Sequence, residues 1–112
     1  MQTTASRGLI AVLALATAAI HAYLNVRLGR LDVVFTLNAL GYVALLVALL
    51  LPALAARRKT ILLMFFVYTL VTIAGWVAMG DKSFTVGALV GWADKAIEVA
   101  LAVLLYREYR RA

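Results

Sequence analysis

The sequence lacks cysteine and has few charged residues. Without cysteine it contains no disulfide, no thiolate metal site and no cysteine nucleophile. Charged residues make up 14% of its 112 residues and hydrophobic residues 66%, whereas soluble domains carry about 25% charged and about 45–50% apolar residues. This composition excludes an ordinary soluble globular domain. It equally excludes an intrinsically disordered chain, which requires low hydrophobicity.

The few charges that are present are mostly basic, and they first suggest nucleic-acid binding. The formal net charge is +6 and the isoelectric point about 10.2. A nucleic-acid-binding protein needs a hydrated face lined with Lys and Arg, and the long hydrophobic runs leave little room for one. The chain also contains no phosphate-binding loop, nucleophile elbow or zinc signature. We therefore predict no nucleic-acid partner, no cofactor, no metal site and no catalytic residue, which favours a protein that is not an enzyme.

Four hydrophobic stretches are long enough to cross a membrane as helices. A helical span needs about 20 mostly apolar residues, and the stretches cover residues 8–25, 33–55, 60–79 and 84–106. Short connections between them force sequential neighbours to run in opposite directions. The sequence thus predicts an all-α, polytopic membrane protein with a single domain over residues 1–112, an antiparallel up-down-up-down bundle of four transmembrane helices.

The distribution of Lys and Arg among tails and loops predicts the orientation. Cytoplasmic loops of membrane proteins carry an excess of these residues. The N-terminal tail, the second loop and the C-terminal tail hold seven cations, against three (Arg27, Arg30 and Lys82) in the first and third loops. Both termini are therefore predicted to be cytoplasmic. The first hydrophobic stretch resembles a signal peptide, but we expect it to be retained, because a three-span remainder would expose a polar-faced fourth span.

The fourth span carries three ionisable residues where hydrocarbon is expected. Asp94 lies ten residues after Phe84, about 15 Å along the helix and near the middle of the bilayer. Each central Asp or Lys costs about 2.5–3.5 kcal/mol to insert. Asp94 and Glu98 are four residues apart and share a helix face, and Lys95 can reach either carboxylate. This spacing predicts a group that faces the bundle interior. It is interpreted either as a structural ion-pair network or as a proton, cation or ligand site.

Polar residues in the other spans have matching positions. With the odd-numbered spans running outward, His21, Asn38, Thr72 and Trp76 all fall in the outer half of the bilayer. We predict a polar pocket there, with His21 on its wall and the three ionisable residues of the fourth span at its floor. The candidate ligand-binding or proton-coupling residues are His21, Asn38, Thr72, Trp76, Asp94, Lys95 and Glu98.

Three functions are compatible with such a pocket. The first is a non-enzymatic membrane protein that binds a small ligand or a lipid group, or docks a partner membrane subunit. The second is an oligomeric proton-coupled small transporter or channel in which Asp94 and Glu98 titrate. The third is a redox subunit that holds a quinone or a haem near His21, although one His and no Cys cannot supply two strong axial ligands. The predicted partners are membrane lipid and a second copy of the chain or another membrane protein.

Short motifs in three spans resemble those of small four-helix membrane proteins of archaea and bacteria whose function is unknown. These motifs are His21-Ala22-Tyr23-Leu24, Leu37-Asn38-Ala39-Leu40-Gly41 and Asp94-Lys95. The resemblance covers nearly the whole chain and implies a prokaryotic cell membrane, but no activity. The small multidrug resistance family is similar in size and span number. Its members carry a membrane-embedded Glu in the first helix, which this chain lacks, so their antiport mechanism is not expected here.

Overall fold

The chain is all-α throughout the residues that the structure, a computed structural model, describes. These are residues 4–29, 32–80, 83 and 85–112, with the backbone alone for residues 4, 27, 28, 86 and 87. The elements in chain order are α1 (Thr4–Leu28), α2 (Val33–Leu50), a 3-10 helix (Pro52–Arg57), α3 (Arg58–Met79) and α4 (Val86–Arg111). The predicted all-α class is confirmed. The side chains of Arg27, Arg30 and Lys82, on which the charge bias depends, and Phe84, where the fourth predicted span begins, lie outside the described residues.

Short polar residues and glycine set the helix ends. Asp32 precedes α2, and its side chain accepts a hydrogen bond from the Phe35 N–H at 3.0 Å, which satisfies one of the unpaired donors of the first turn. Thr85 caps α4 in the same way. Gly29 follows α1 with φ +69°, a left-handed conformation that glycine adopts without steric cost.

Helix α2 ends at Leu50, although the hydrophobic run continues to residue 55. Leu51 has extended backbone angles, the conformation favoured before a proline, and Pro52 lacks the N–H that would continue the ladder. The following residues form the 3-10 helix instead. The Arg58 guanidinium donates a hydrogen bond to the Leu49 carbonyl at 3.3 Å. A basic side chain thus satisfies a carbonyl group in the last turn of α2.

The apolar core is formed by residues near the starts of α1 and α3 and near the ends of α2 and α4. It contains Ile10 and Ala14 from early α1, Leu46 and Leu49 from late α2, Ile61, Leu62 and Phe65 from early α3, and Leu101, Leu104 and Leu105 from late α4. Helix α1 contacts both α2 and α4, and α3 contacts both α4 and α2. The dry core therefore fills one half of the bundle.

Many large apolar side chains are exposed on the surface of the bundle, and several polar and ionisable side chains are buried inside it. Large apolar side chains such as Val12, Leu37, Met64 and Val103 are exposed, whereas the buried polar residues are Thr17, His21, Thr69, Asp94, Lys95, Glu98 and Glu108. By length and composition, the segments Ala5–Val26, Val33–Leu50 and Pro52–Met79 are each able to cross a membrane. Helix α4 is not one of these membrane-crossing segments, because its apolar stretch contains three ionisable residues.

Candidate ligand-binding cavity

Three ionisable residues in the first half of α4 form a buried cluster in the half of the bundle beyond the apolar core. Asp94, Lys95 and Glu98 are only 2%, 7% and 0% exposed. The Lys95 ammonium donates to Asp94 Oδ2 at 3.0 Å and to Glu98 Oε1. One cation thus bridges two carboxylates, as the helical spacing predicts. Such pairing compensates part of the cost of removing the charges from water.

Two hydroxyl groups from neighbouring helices complete the bonding of the carboxylates. Thr17 on α1 lies with its Oγ1 at 2.5 Å from Asp94 Oδ1 and at 3.1 Å from Glu98 Oε2. Tyr42 on α2 donates its phenolic hydrogen to Glu98 Oε2 at 2.6 Å. Both side chains are fully buried. The cluster on α4 is therefore tied to α1 and to α2 by hydrogen bonds to charged acceptors, which are about twice as strong as neutral ones.

His21 extends the cluster along α1. Its Nδ1 lies 2.8 Å from the carbonyl oxygen of Thr17, one turn earlier. Since a carbonyl only accepts, Nδ1 carries a proton and donates it. The other ring nitrogen, Nε2, lies 3.7 Å from Asp94 Oδ2. Thr17 therefore positions both sides of this contact, His21 through its carbonyl and Asp94 through its hydroxyl.

The two contacts of the Thr17 hydroxyl group can accommodate one additional proton. Its hydroxyl has a single hydrogen, yet oxygens of Asp94 and Glu98 both lie within hydrogen-bond distance. A second proton on either carboxyl would donate back to the Thr17 oxygen and satisfy both contacts. Two carboxylates and one ammonium carry a formal charge of −1, which one added proton neutralises.

The same residues include a set of metal-ligating types. One ligand atom from each of His21, Asp94 and Glu98 lies within 4.8 Å of the others. The Lys95 ammonium, however, already bonds both carboxylates. A divalent ion that binds both carboxylates would therefore have to displace the ammonium.

A cavity of about 530 Å³ reaches the cluster from the side of the bundle. The polar residues of its lining are His21, Asn38, Tyr68, Thr72, Trp76, Asp94 and Lys95, and the rest of the lining is mostly apolar. The exposed side chains of Val34, Val71 and Met79 also line it, so it opens to the surface beside α2 and α3. Cavities of about 300–1,000 Å³ with few polar groups are typical of small-molecule sites.

The hydrogen bonds on the polar wall of the cavity determine which groups donate and which accept. Tyr68 donates to the Asn38 carbonyl at 2.8 Å, and Thr72 donates to the Tyr68 carbonyl at 3.0 Å. Because the Thr72 hydrogen is used, its oxygen must accept, which orients the Asn38 amide with Nδ2 towards it at 2.9 Å. Within the described part of the chain, the buried Asn38 Oδ1 accepts no hydrogen bond. The wall therefore presents an acceptor.

Glycines and aromatic rings shape the wall. A Cβ on Gly41 would overlap the hydroxyl group of Tyr68, and one on Gly91 would lie 3.1 Å from Trp76 Nε1. Absence of these side chains lets the two rings pack closely on the helix backbones. Trp76 also meets Trp92 edge-to-face, with ring centroids 4.9 Å apart, so the tryptophan on the cavity wall is held by packing.

Six of the seven residues predicted as a site line this one cavity. They are His21, Asn38, Thr72, Trp76, Asp94 and Lys95. Glu98 lies behind the floor, bonded to Lys95, Thr17 and Tyr42. Their roles in ligand binding or proton coupling stay predictions.

The prediction omitted Thr17, Tyr42 and Tyr68 as site residues. Helical spacing alone placed Thr17 one turn before His21 and Tyr42 one turn after Asn38, which was the available signal.

Comparison with known proteins does not assign the chain to a family. The chain matches no protein-family model, no curated protein and no solved structure. The site is therefore interpreted from its own chemistry, and the resemblance to small prokaryotic four-helix membrane proteins stays a prediction.

Proposed function

We propose that the chain is a multi-pass protein of the prokaryotic cell membrane, an antiparallel up-down-up-down bundle of four spans. The core supports this arrangement, because it unites the starts of α1 and α3 with the ends of α2 and α4. The molecule measures 42 × 23 × 22 Å, and its length compares with about 40–45 Å for a bilayer with its headgroups.

Helix α4 is proposed as the fourth span. Asp94, Lys95 and Glu98 are buried, with Asp94 bonded to α1 and Glu98 to α2, while Leu89, Val99 and Val103 are exposed on the outer side of the helix. Charged residues within membrane helices usually face the bundle interior and pair there. Asp94, Lys95 and Glu98 make α4 less apolar than the other three helices, and these are the residues that would be shielded from lipid.

Both termini are proposed to be cytoplasmic, and the absence of cysteine makes this easy to test. Single cysteines are introduced as Ala53→Cys, between α2 and α3, and as Ser83→Cys, between α3 and α4, both at exposed positions. In intact cells a membrane-impermeant maleimide should label only the Ser83→Cys chain, and after lysis it should label both. The cysteine-free parent is the control. Equal labelling of both in intact, unleaky cells contradicts the four-span topology.

Within this bundle, we propose that the cavity binds a small ligand and that the protein is a non-enzymatic binding module. The observation that supports this proposal is a cavity of about 530 Å³ that connects the bundle surface to buried His21, Asp94 and Lys95. An apolar wall with a few convergent polar groups is the usual design of a ligand site. Docking of a partner subunit through the same opening is the other form of this proposal.

Trp76 provides a direct test because it lines the cavity. In a Trp92→Phe background it is the only tryptophan, and a brominated probe quenches its fluorescence on contact. Bromocyclohexane should quench saturably in the reconstituted protein. Gly75→Phe should abolish the saturable part, because Gly75 lines the cavity and an added Cβ meets nothing within 4 Å. Gly8→Phe is the matched control, since a Cβ there also meets nothing and Gly8 is exposed outside the cavity. Quenching that is linear, or unchanged by Gly75→Phe, contradicts the proposal.

The second candidate function is proton-coupled transport by an oligomer. It is supported by the chain His21–Asp94–Thr17–Glu98, which has room for one additional proton. Transport predicts pH-driven flux in liposomes that Asp94→Asn and Glu98→Gln each abolish while the helical content is retained. A proton flux equal to that of empty liposomes contradicts it.

A redox subunit that holds a quinone or a haem is the third candidate, and the contacts of His21 argue against its haem form. His21 directs Nδ1 to a carbonyl and Nε2 towards Asp94, so haem ligation would require the ring to leave both. An absorption band of bound haem in purified protein would reverse this conclusion.

A further inference from the structure

We propose that the cavity selects an organic ammonium ion, an apolar body with one protonated amine. This inference deepens the proposed binding function and rests on it. It follows from three independent properties of the lining, namely the charge at the floor, the hydrogen-bonding capacity left on the walls, and the apolar and aromatic surfaces between them.

The charge at the floor favours a cation. Two carboxylates and one ammonium give Asp94, Glu98 and Lys95 a formal charge of −1. Asp94 and Lys95 line the cavity and Glu98 is enclosed behind them, so Asp94 is the carboxylate that a ligand can reach. In a poorly hydrated site an uncompensated charge is costly, and the cavity is the route by which a compensating group reaches Asp94. An ammonium ligand would supply that charge, and a carboxylate ligand would worsen the imbalance.

The remaining hydrogen-bonding capacity of the walls favours a donor. The Thr72 and Tyr68 hydrogens are spent on backbone carbonyls. Asn38 Oδ1 is an unused buried acceptor, and the Asp94 carboxylate also lines the cavity. Lys95 spends two of its three hydrogens on carboxylates. Asn38 Oδ1 and the Asp94 carboxylate are acceptors that an ammonium group, which only donates, can bond.

The remaining surface suits a hydrocarbon body and a nearby cation. Val34, Val71 and Met79 line the side that opens at the surface, and Tyr68 and Trp76 present aromatic rings. Aromatic faces attract cations, and apolar side chains favour the body that carries the charge. A bare inorganic cation would leave this apolar volume unfilled, so the ligand combines both parts.

The test compares three probes of one shape and different charge. Cyclohexylmethylammonium, cyclohexylmethanol and cyclohexanecarboxylate compete with bromocyclohexane for Trp76 in the Trp92→Phe protein. We expect the ammonium to displace the quencher at a concentration at least about tenfold lower than the alcohol, a difference that charge-assisted hydrogen bonds readily produce. The carboxylate should not displace it. Gly75→Phe measures non-specific membrane partition of each probe.

Two variants identify the residues responsible. Asp94→Asn should remove most of the preference for ammonium over alcohol. Asn38→Asp adds a carboxylate to the wall without touching the ion cluster, and it should increase that preference. The second variant keeps the inference testable if Asp94→Asn fails to fold, as judged by circular dichroism.

The outcomes separate the two proposals. Equal displacement by ammonium and alcohol, or stronger displacement by the carboxylate, overturns the cation preference and leaves a ligand-binding cavity. An unchanged preference in Asn38→Asp also overturns it. If bromocyclohexane itself shows no saturable quenching, the cavity is not a binding site and both proposals fail.

Discussion

Replacing Tyr42 with phenylalanine tests whether the α4 carboxylates are held by neighbouring helices. The Tyr42 hydroxyl donates to Glu98 Oε2 at 2.6 Å, and both side chains are fully buried. Phenylalanine keeps the ring and its packing against Phe65 and Tyr68. The substitution therefore removes one hydrogen bond to a buried carboxylate and creates no large void.

The expected cost follows from the charge of the acceptor. Hydrogen bonds to charged groups contribute about 1.5–3 kcal/mol, whereas interhelical bonds between neutral groups in membrane proteins average about 0.6 kcal/mol. Tyr42→Phe should thus lower the free energy of unfolding by about 2 kcal/mol, roughly a 30-fold change in the unfolding equilibrium. Tyr68→Phe is the matched control, because that hydroxyl donates to the neutral Asn38 carbonyl, and it should cost about 0.6 kcal/mol.

Reversible unfolding by dodecyl sulfate in mixed micelles, followed by circular dichroism, measures both values. In a Glu98→Gln background the cost of Tyr42→Phe should shrink by about 1 kcal/mol, since contacting partners are not additive. Equal costs for the two tyrosine variants, or a cost of Tyr42→Phe unaffected by Glu98→Gln, would refute the proposed role of the carboxylate.

Three further substitutions test the cluster, a helix cap and the core by the same unfolding assay. Lys95→Met should destabilise the protein by about 3–5 kcal/mol because it leaves two buried carboxylates without their cation, and a loss below about 1 kcal/mol would contradict the ion pairing. Asp32→Ala should cost about 1 kcal/mol through loss of the bond to the Phe35 N–H, while Asp32→Asn, which can still cap, should cost much less. Leu101→Ala, in the fully buried core, should cost about 2–5 kcal/mol, against about 0.5 kcal/mol or less for exposed Val103→Ala.

The helical class and the buried ion cluster were predictable because each follows from a strong and local cost. Three ionisable residues in one apolar stretch must be shielded, and the spacing of Asp94 and Glu98 leaves them one shared face. The same argument predicted that His21, Asn38 and Thr72 would face inward. All of these lie in the bundle interior or on the cavity wall.

Other features depend on side-chain geometry that periodicity does not contain. Thr17 is one of several small or polar residues on α1, and its place between two carboxylates depends on how far α1 is rotated and shifted against α4. The early end of α2 had a local signal in Pro52, but the run of Ala and Leu after it conceals the change to a 3-10 helix. Asp94 faces the cavity, whereas Glu98 is enclosed and bonds Tyr42 from the neighbouring helix.

That split gives the two carboxylates different parts in the proposed function. Glu98 bonds Tyr42, Thr17 and Lys95 but does not line the cavity, so its contacts join helices. Asp94 bonds Thr17 and Lys95 and also faces the cavity beside His21. Changes at Glu98 should therefore alter stability first and binding only through it, whereas changes at Asp94 should alter both. Proton coupling makes a different demand, because the added proton would then be shared between both carboxylates through Thr17. A Glu98→Gln protein that retains ligand binding and loses stability therefore favours the binding module over the transporter.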